Sequence, residues 1–291
     1  MSLAPQYLIN GLLAGVIYAA YSTGYSLVLT TSRFMHVCHG GILSVAGLLC
    51  WYLAVNHGIP LLPAAILAIL CGIAVGVLLE ICIYRKLRKN NLPFLLTMIV
   101  SLGCMTVLQN VLAMVFGTNM KYFGVGAILR TIWIGKIAIP GWQAVGFVVT
   151  ITLLILLALF LSKTRVGSEI QSVSANAEMA RLIGINLDSI YVIAMVLASA
   201  LVSWLGVIEV LMHGMNCYGG TPFMLVGMVI RAIGGSRNNK GMLIAGLVYG
   251  ILENMALLVV SSRWASPLTF VIFVIFILVK KDSNEKLGGG L

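Results

Sequence analysis

Between Ser32 and Gly41 the chain reads SRFMHVCHGG, which crowds His36, Cys38 and His39 into four positions. Imidazole and thiolate ligate metals and also pair as base and nucleophile. Three ligands at this spacing cannot share one helix face, and no fourth ligand stands nearby. An oriented base–nucleophile pair is equally absent. A second polar stretch, HGMNCYGGTP (His213–Pro222), carries His213 and Cys217. Two readings of both stretches stay open: polar groups that hydrogen-bond exposed backbone at a helix break, or groups that line a solute path. The chain has no GxxxxGK[ST] phosphate loop, so it cannot hydrolyse ATP in the usual way. Its carboxylates are few. Glu80 lies one turn from Arg85 and would snorkel or pair, and Glu209 lies near a helix end. Glu253, flanked by Asn254, is the deepest, and there a carboxylate must pair, hydrogen-bond or protonate. Packing or gating hydrogen bonds suit Glu253 and Asn254 better than substrate contact.

The elements that position these residues follow from composition. The 291 residues are 60% hydrophobic and 9% charged, whereas soluble domains are nearer a quarter charged. The surroundings must therefore be lipid, and the fold an all-α, polytopic transmembrane bundle. The net charge of +10 reads as the positive-inside bias rather than nucleic-acid binding, because no basic patch is interleaved with aromatics. The six cysteines form no CxxC pair and read as small core residues. The start of the chain, without a basic n-region or a cleavage site, reads as leading straight into the first span.

Apolar runs of about 20 residues predict spans over 7–30, 61–84, 93–116, 142–162, 190–211 and 241–260. Shorter runs cover 41–55, 223–233 and 267–279, giving eight or nine membrane segments in one domain, 1–291. Two of the short runs follow a long helix and an irregular polar stretch. Irregular backbone at membrane depth must be buried in protein or line a watery cavity, and paired broken helices point to a transport site between inverted repeats. Gly40, Gly41, Gly219 and Gly220 precede the short helices, where backbone can approach a solute closely. The tentative substrate path is therefore His36, His39, Gly40, Gly41, Cys217, Gly219 and Gly220. Nine crossings with the N-terminus outside and the C-terminus cytoplasmic put fourteen of the eighteen Lys and Arg inside, including RKLRK (Arg85–Lys89) and Lys280, Lys281 and Lys286. Lys121, Arg130, Lys136 and Arg263 stay outside. The outer stretch TIWIGKIAIPGW would form an interfacial strand pair, a short lid or a tethered loop. GxxxG pairs at Gly11–Gly15, Gly72–Gly76 and Gly246–Gly250 would permit close helix approach.

The cytoplasmic stretch 163–189 is polar and well capped. Ser168 would cap a helix beginning at Glu169, and Asn176 a second with Glu178 in its first turn, stopped by Gly184. Ile170, Val173 and Ala177 form one stripe, and Met179, Leu182 and Ile183 another. Small residues, Ala180 among them, fill the rest. Such a face suits a partner protein's groove or lipid headgroups, and its mixed charges and lack of aromatics favour docking.

RVGSEIQSVSANAEMARLIGIN (Arg165–Asn186) is similar to the cytoplasmic loop of permease subunits of branched-chain amino acid ABC importers, of the form RxGRAxRAxAxDxxxAxxxGIN. GYSLVLTTSRFMHVCHGG resembles that family's GYxLV–spacer–INFAHG stretch. AIGGSRNNKGMLIAGLVYGILEN resembles VLGGxGSxxGAxxGGxxLGxxE, with Gly234, Gly235, Gly241, Gly246, Gly250 and Glu253 in place. The three matches run in order over about a third of the chain. Departures are His36 for the family's Asn and Val37 and Cys38 for its Phe and Ala. The resemblance implies an ATPase-coupling loop, with Arg165, Gly167, Glu169, Ala177, Glu178, Ala180, Gly184, Ile185 and Asn186 at its matched positions. It also implies a second homologous permease, two ATP-binding subunits and an external (periplasmic) solute-binding protein, in the cell inner membrane. Solute would pass between permeases without covalent chemistry, with no cofactor in this chain and ATP on its partners. The implied cargo is branched-chain or other hydrophobic amino acids, with urea, short amides or another small solute as the alternative. A stand-alone proton-coupled transporter using Glu253 or the histidines is a rival from another class, as is an intramembrane enzyme.

Overall fold

The computed structural model describes residues 4–124, 131–134, 137–235 and 239–279. Helices α1 (Ala4–Ser32), α2 (His39–Trp51), α3 (Leu61–Leu79), α4 (Arg85–Lys89), α5 (Phe94–Phe116) and α6 (Gly141–Lys163) make the first half. Strands β1 (Ile132–Ile134) and β2 (Ile137–Ile139) precede α6. The second half holds α7 (Arg165–Ala175), α8 (Ala177–Leu182), α9 (Leu187–Met212), α10 (Gly220–Gly234), α11 (Asn239–Ala256) and α12 (Ser262–Val279). The expectation of an all-α polytopic bundle holds. Among the described residues, six stretches are long and apolar enough to cross a membrane: Ala4–Ser32, His39–Asn56, Leu61–Lys89, Phe94–Phe116, Gly141–Lys163 and Leu187–Met212.

Several boundaries move. α2 starts at His39 and continues through a π-helical turn, Tyr52–Asn56; a second such turn, Glu80–Tyr84, joins α3 to α4. α12 begins five residues before Pro267, which sits inside the helix. α11 ends at Ala256, short of the expected 260. The outer stretch forms the antiparallel pair β1–β2, with Trp133 opposite Ala138. Gln6 of α1 holds that hairpin by donating to the Ala138 carbonyl and accepting from its N–H, both at 2.8 Å. Lys136 and Arg130 of the outer loop lie outside the described residues, as do Arg237, Asn238, Lys280, Lys281 and Lys286.

The inner layer is α1, α2 and α9, and its tight contacts come from small residues. The GxxxG pairs of α1 and α11 meet each other: a Cβ on Gly11 would lie 2.7 Å from Ile251 Cα, and one on Gly250 2.5 Å from the Gly11 carbonyl. Gly72 and Gly76 of α3 face Ser203 and Ser199 of α9 in the same way. Such close approach replaces the hydrophobic drive that lipid cannot supply between helices. α3, α5 and α6 lie outside this layer, with large apolar side chains such as Leu62, Leu95 and Ile155 exposed.

Candidate functional site

The candidate groups lie at the junction of the broken helices and in the segment 163–189. At the junction both irregular stretches dip inward. The Nε2 of His39 lies 3.2 Å from where a Cβ on Gly24 would stand, about two turns back from the end of α1. Met215 reaches Gly47 of α2 from the other break. The starts of α2 and α10 touch. A Cβ on Gly220 would lie 1.8 Å from the Gly40 carbonyl oxygen. The free N–H of Gly220 donates to Ser44 Oγ at 2.9 Å, which satisfies one of the helix start's orphan donors.

The first break is held by a polar chain. His36 Nδ1 lies 2.9 Å from the Tyr84 hydroxyl, which lies 2.9 Å from Ser101 Oγ. Ser101 Oγ also accepts from the Cys38 N–H at 3.1 Å. The His39 ring packs edge-on against Tyr21, centroids 5.0 Å apart, and 5.4 Å from the His36 ring. Tyr84 and Ser101 had no sequence signal, since each sits alone within an apolar run. At the second break, Lys121 and Met215 exchange both backbone hydrogen bonds, at 2.8 and 2.9 Å. Trp51 donates to the Tyr122 carbonyl at 2.9 Å, so the loop after α5 is pinned over the second break.

His36, His39, Gly40, Gly41, Cys217 and Gly220 are buried and Gly219 half-buried, packed where the starts of α2 and α10 meet. Among the described residues, no three His, Cys, Asp or Glu side chains gather as metal ligands would. Glu253 is buried and accepts from the Tyr18 hydroxyl at 2.7 Å; Asn254 donates to the Gly250 carbonyl within α11. Glu80 pairs with Arg88 rather than Arg85, and Arg85 pairs with Asp188. Arg88 also stacks 4.0 Å over the Tyr191 ring, so RKLRK is tied to the start of α9.

In the segment 163–189 the first cap differs from expectation. Thr164, not Ser168, accepts from the Gly167 N–H at 3.0 Å and starts α7 four residues earlier than Glu169. Ser168 lies within the first turn and donates back to the Thr164 carbonyl. Gly167 lies so close to the end of α6 that a Cβ would stand 2.3 Å from the Phe160 carbonyl. Ile170 and Val173 turn inward as the core stripe, while Arg165 and Glu169 pair across one turn at 3.2 Å. Asn176 caps α8 through the Met179 N–H at 3.1 Å. Gly184 stops it at φ +87°, and Ile185 N–H returns to the Ala180 carbonyl. Asn186 then caps α9 through Ser189. The Gly-Ile-Asn run is thus a helix stop followed by a helix start.

Ala180 is buried in this chain's own core and offers no surface to another molecule. Met179, Leu182 and Ile183 point outward instead, 56, 80 and 69% exposed, beside exposed Glu178 and Arg181. Arg33, at φ +59°, donates to the Ser174 carbonyl at 2.9 Å and to that of Ala175 at 3.3 Å. It thereby caps the C-terminal end of α7 from the first residue of the His36 break.

A multi-pass helical bundle with two helices beginning inside it is the architecture of a membrane permease. This chain belongs to the family described as branched-chain amino acid transport system / permease component, which matches residues 7–279. It is an ABC transporter permease of that family, a transport component and not an enzyme, which removes the stand-alone transporter and intramembrane enzyme readings. Similar proteins include the high-affinity branched-chain amino acid permease LivH of Escherichia coli K12, 24% identical over 94% of this chain and 92% of the relative. BraD of Pseudomonas aeruginosa is 24% identical over 94% and 93%. The ribose import permease RbsC of Escherichia coli K12 is 26% identical over 90% and 82%. The solved structure titled PsaBC from Streptococcus pneumoniae in complex with Fab aligns with 95% of this chain and 92% of its own, at TM-score 0.50 and 14% identity, a likeness of fold.

Proposed function

We propose that this chain imports branched-chain or other hydrophobic amino acids across the inner membrane. It would work with a second homologous permease, two ATP-binding subunits and an external solute-binding protein. The observation that carries the coupling role is the outward trio Met179, Leu182 and Ile183 on a helix capped at both ends. Three large apolar side chains left in water on a rigid, short helix are a docking knob. Burying Leu182 would contribute about 1.5–3 kcal/mol, so Leu182→Ser weakens association with the ATP-binding subunits by about tenfold or more. Association of the purified permease with those subunits, measured in detergent, tests this; unchanged affinity in Leu182→Ser and Ile183→Ser sinks the coupling role. Movement received at α7 would pass through Arg33 to the His36 break and the Gly40–Gly220 contact. That route is continuous through hydrogen bonds and backbone.

We place the solute path on the outer face of α5. Its inward side carries Ser101, Met105 and Leu112. The centre of its exposed face carries Gly103, Thr106 and Asn110 among the exposed apolar Leu102, Val107 and Val111. Polar groups at membrane depth face protein or water. Gln109 donates to Thr221 at 2.8 Å, which ties this face to the start of α10. Single cysteines at 106 and 110 in a cysteine-free background should react with a water-soluble thiol reagent in the assembled importer. Inertness in every nucleotide state, with transport intact, would move the path elsewhere. The same polar face, together with the RbsC likeness, favours a small polar solute as the second reading; competition for uptake by leucine against ribose or urea separates the two. Nine crossings in two inverted repeats, with the N-terminus outside, complete the proposal. Reporters placed near Lys121 and after Lys286 should read external and cytoplasmic respectively, and the reverse pattern overturns it.

A further inference from the structure

A cleft runs along α1 between α6 and α11, away from α5, which packs on α2. One part is apolar, about 530 Å³, walled by Leu12, Val16, Phe147, Ile151, Leu154 and Leu247. A second hollow of about 510 Å³ adjoins it, sharing Thr23 and Ala158. There the walls turn polar, with Ser26, Thr30 and Ser162 facing Gln171 and Ser174 of α7. Lys240 is the one charged side chain among the residues lining either part. It is exposed and makes no ion pair among the described residues.

We propose that this cleft binds one anionic phospholipid, with an acyl chain along α1, α6 and α11 and the phosphate beside Lys240. The eleven-residue rise from Leu12 to Thr23 is about 16 Å, close to half of a hydrocarbon core about 30 Å thick. On the 7–30 span that stretch covers the middle of the bilayer, where an acyl chain lies. The walls gain polar groups over Thr23–Thr30, the last turns of that span, and a lysine there can snorkel toward the interface. Basic pockets between membrane helices select anionic headgroups in this way. The bound headgroup would lie against α7, so lipid occupancy and the cytoplasmic segment share a wall. This site is independent of the cargo and of the α5 path.

The test uses the complete importer in nanodiscs of phosphatidylcholine alone or with phosphatidylglycerol. After transfer to detergent, retained lipid is extracted and quantified by mass spectrometry. Wild type should keep phosphatidylglycerol at about one per permease and little phosphatidylcholine. Lys240→Gln should reduce the retained phosphatidylglycerol about fivefold, the factor corresponding to about 1 kcal/mol for one lysine. Ala158→Trp, placed where the two hollows meet, should remove it; if that variant does not assemble, the smaller block Leu247→Phe replaces it. Equal retention of both lipids by wild type, or undiminished phosphatidylglycerol in Lys240→Gln, overturns the proposal. So does a benzophenone side chain at position 155 that crosslinks to polypeptide rather than lipid.

Discussion

Replacing Gly220 by alanine puts a methyl carbon where the Gly40 carbonyl oxygen stands 1.8 Å away. Ordinary contact needs roughly 3.2 Å or more, so α2 and α10 must part by more than 1 Å. The neighbouring atom is backbone in the first turn of a helix, so it cannot swing aside. Parting the helices stretches the 2.9 Å bond from Gly220 N–H to Ser44 Oγ beyond hydrogen-bonding distance, a loss of about 1 kcal/mol. Overpacking adds about 1–3 kcal/mol. The sum, about 2–4 kcal/mol, should lower the thermal midpoint by at least about 5 °C. Gly103→Ala is the reference, because nothing lies within 4 Å of that position and alanine suits a helix interior better than glycine. Thermal unfolding of both variants in the same detergent decides the matter. If Gly220→Ala melts with Gly103→Ala, the two helix starts are not in contact.

Arg88→Met strands the Glu80 carboxylate, whose side chain is 1% exposed; a loss of about 3–5 kcal/mol is expected, and adding Glu80→Gln should restore much of it in the same melting assay. His213 hydrogen-bonds Glu209 at 3.0 Å, and that bond raises its pKa above the ordinary imidazole value. Because the folded pKa is the higher one, this contribution is complete below pH of about 6.5 and fades as pH rises through the raised value. Melting should therefore show a small decline across neutral pH that His213→Gln removes, and an identical slope in the variant refutes the pairing.

The sequence made the polytopic helical bundle, the capped segment 163–189 and the glycine pairs legible, because each is a local pattern: apolar length, capping chemistry and small-residue spacing. Asn176, Gly184 and Asn186 act as their types suggest. Thr164 was missed because Ser168 four residues later offers the same chemistry, and choosing between them depends on how closely Gly167 can approach α6. How the two breaks meet was not legible. Histidines and glycines at a break look alike whether they face a channel or each other, and the Gly40–Gly220 contact joins residues far apart in the chain. The exposed face of α5 shows the same limit, since Thr106 and Asn110 gain meaning only once the opposite side of that helix is seen packed on α2.

The contact between the starts of α2 and α10 also has a consequence for biosynthesis. Ser44 waits 176 residues for the Gly220 N–H that it accepts. At about 5–20 residues per second, roughly 10–35 s pass between the emergence of the two partners. During that interval α1 and α2 are already made while their break has no α10 to close it. The half-made protein must shelter those polar groups with water or with the insertion machinery. A stalled chain ending before α10 should therefore be far more sensitive to proteases and to quality control than its number of finished spans would suggest.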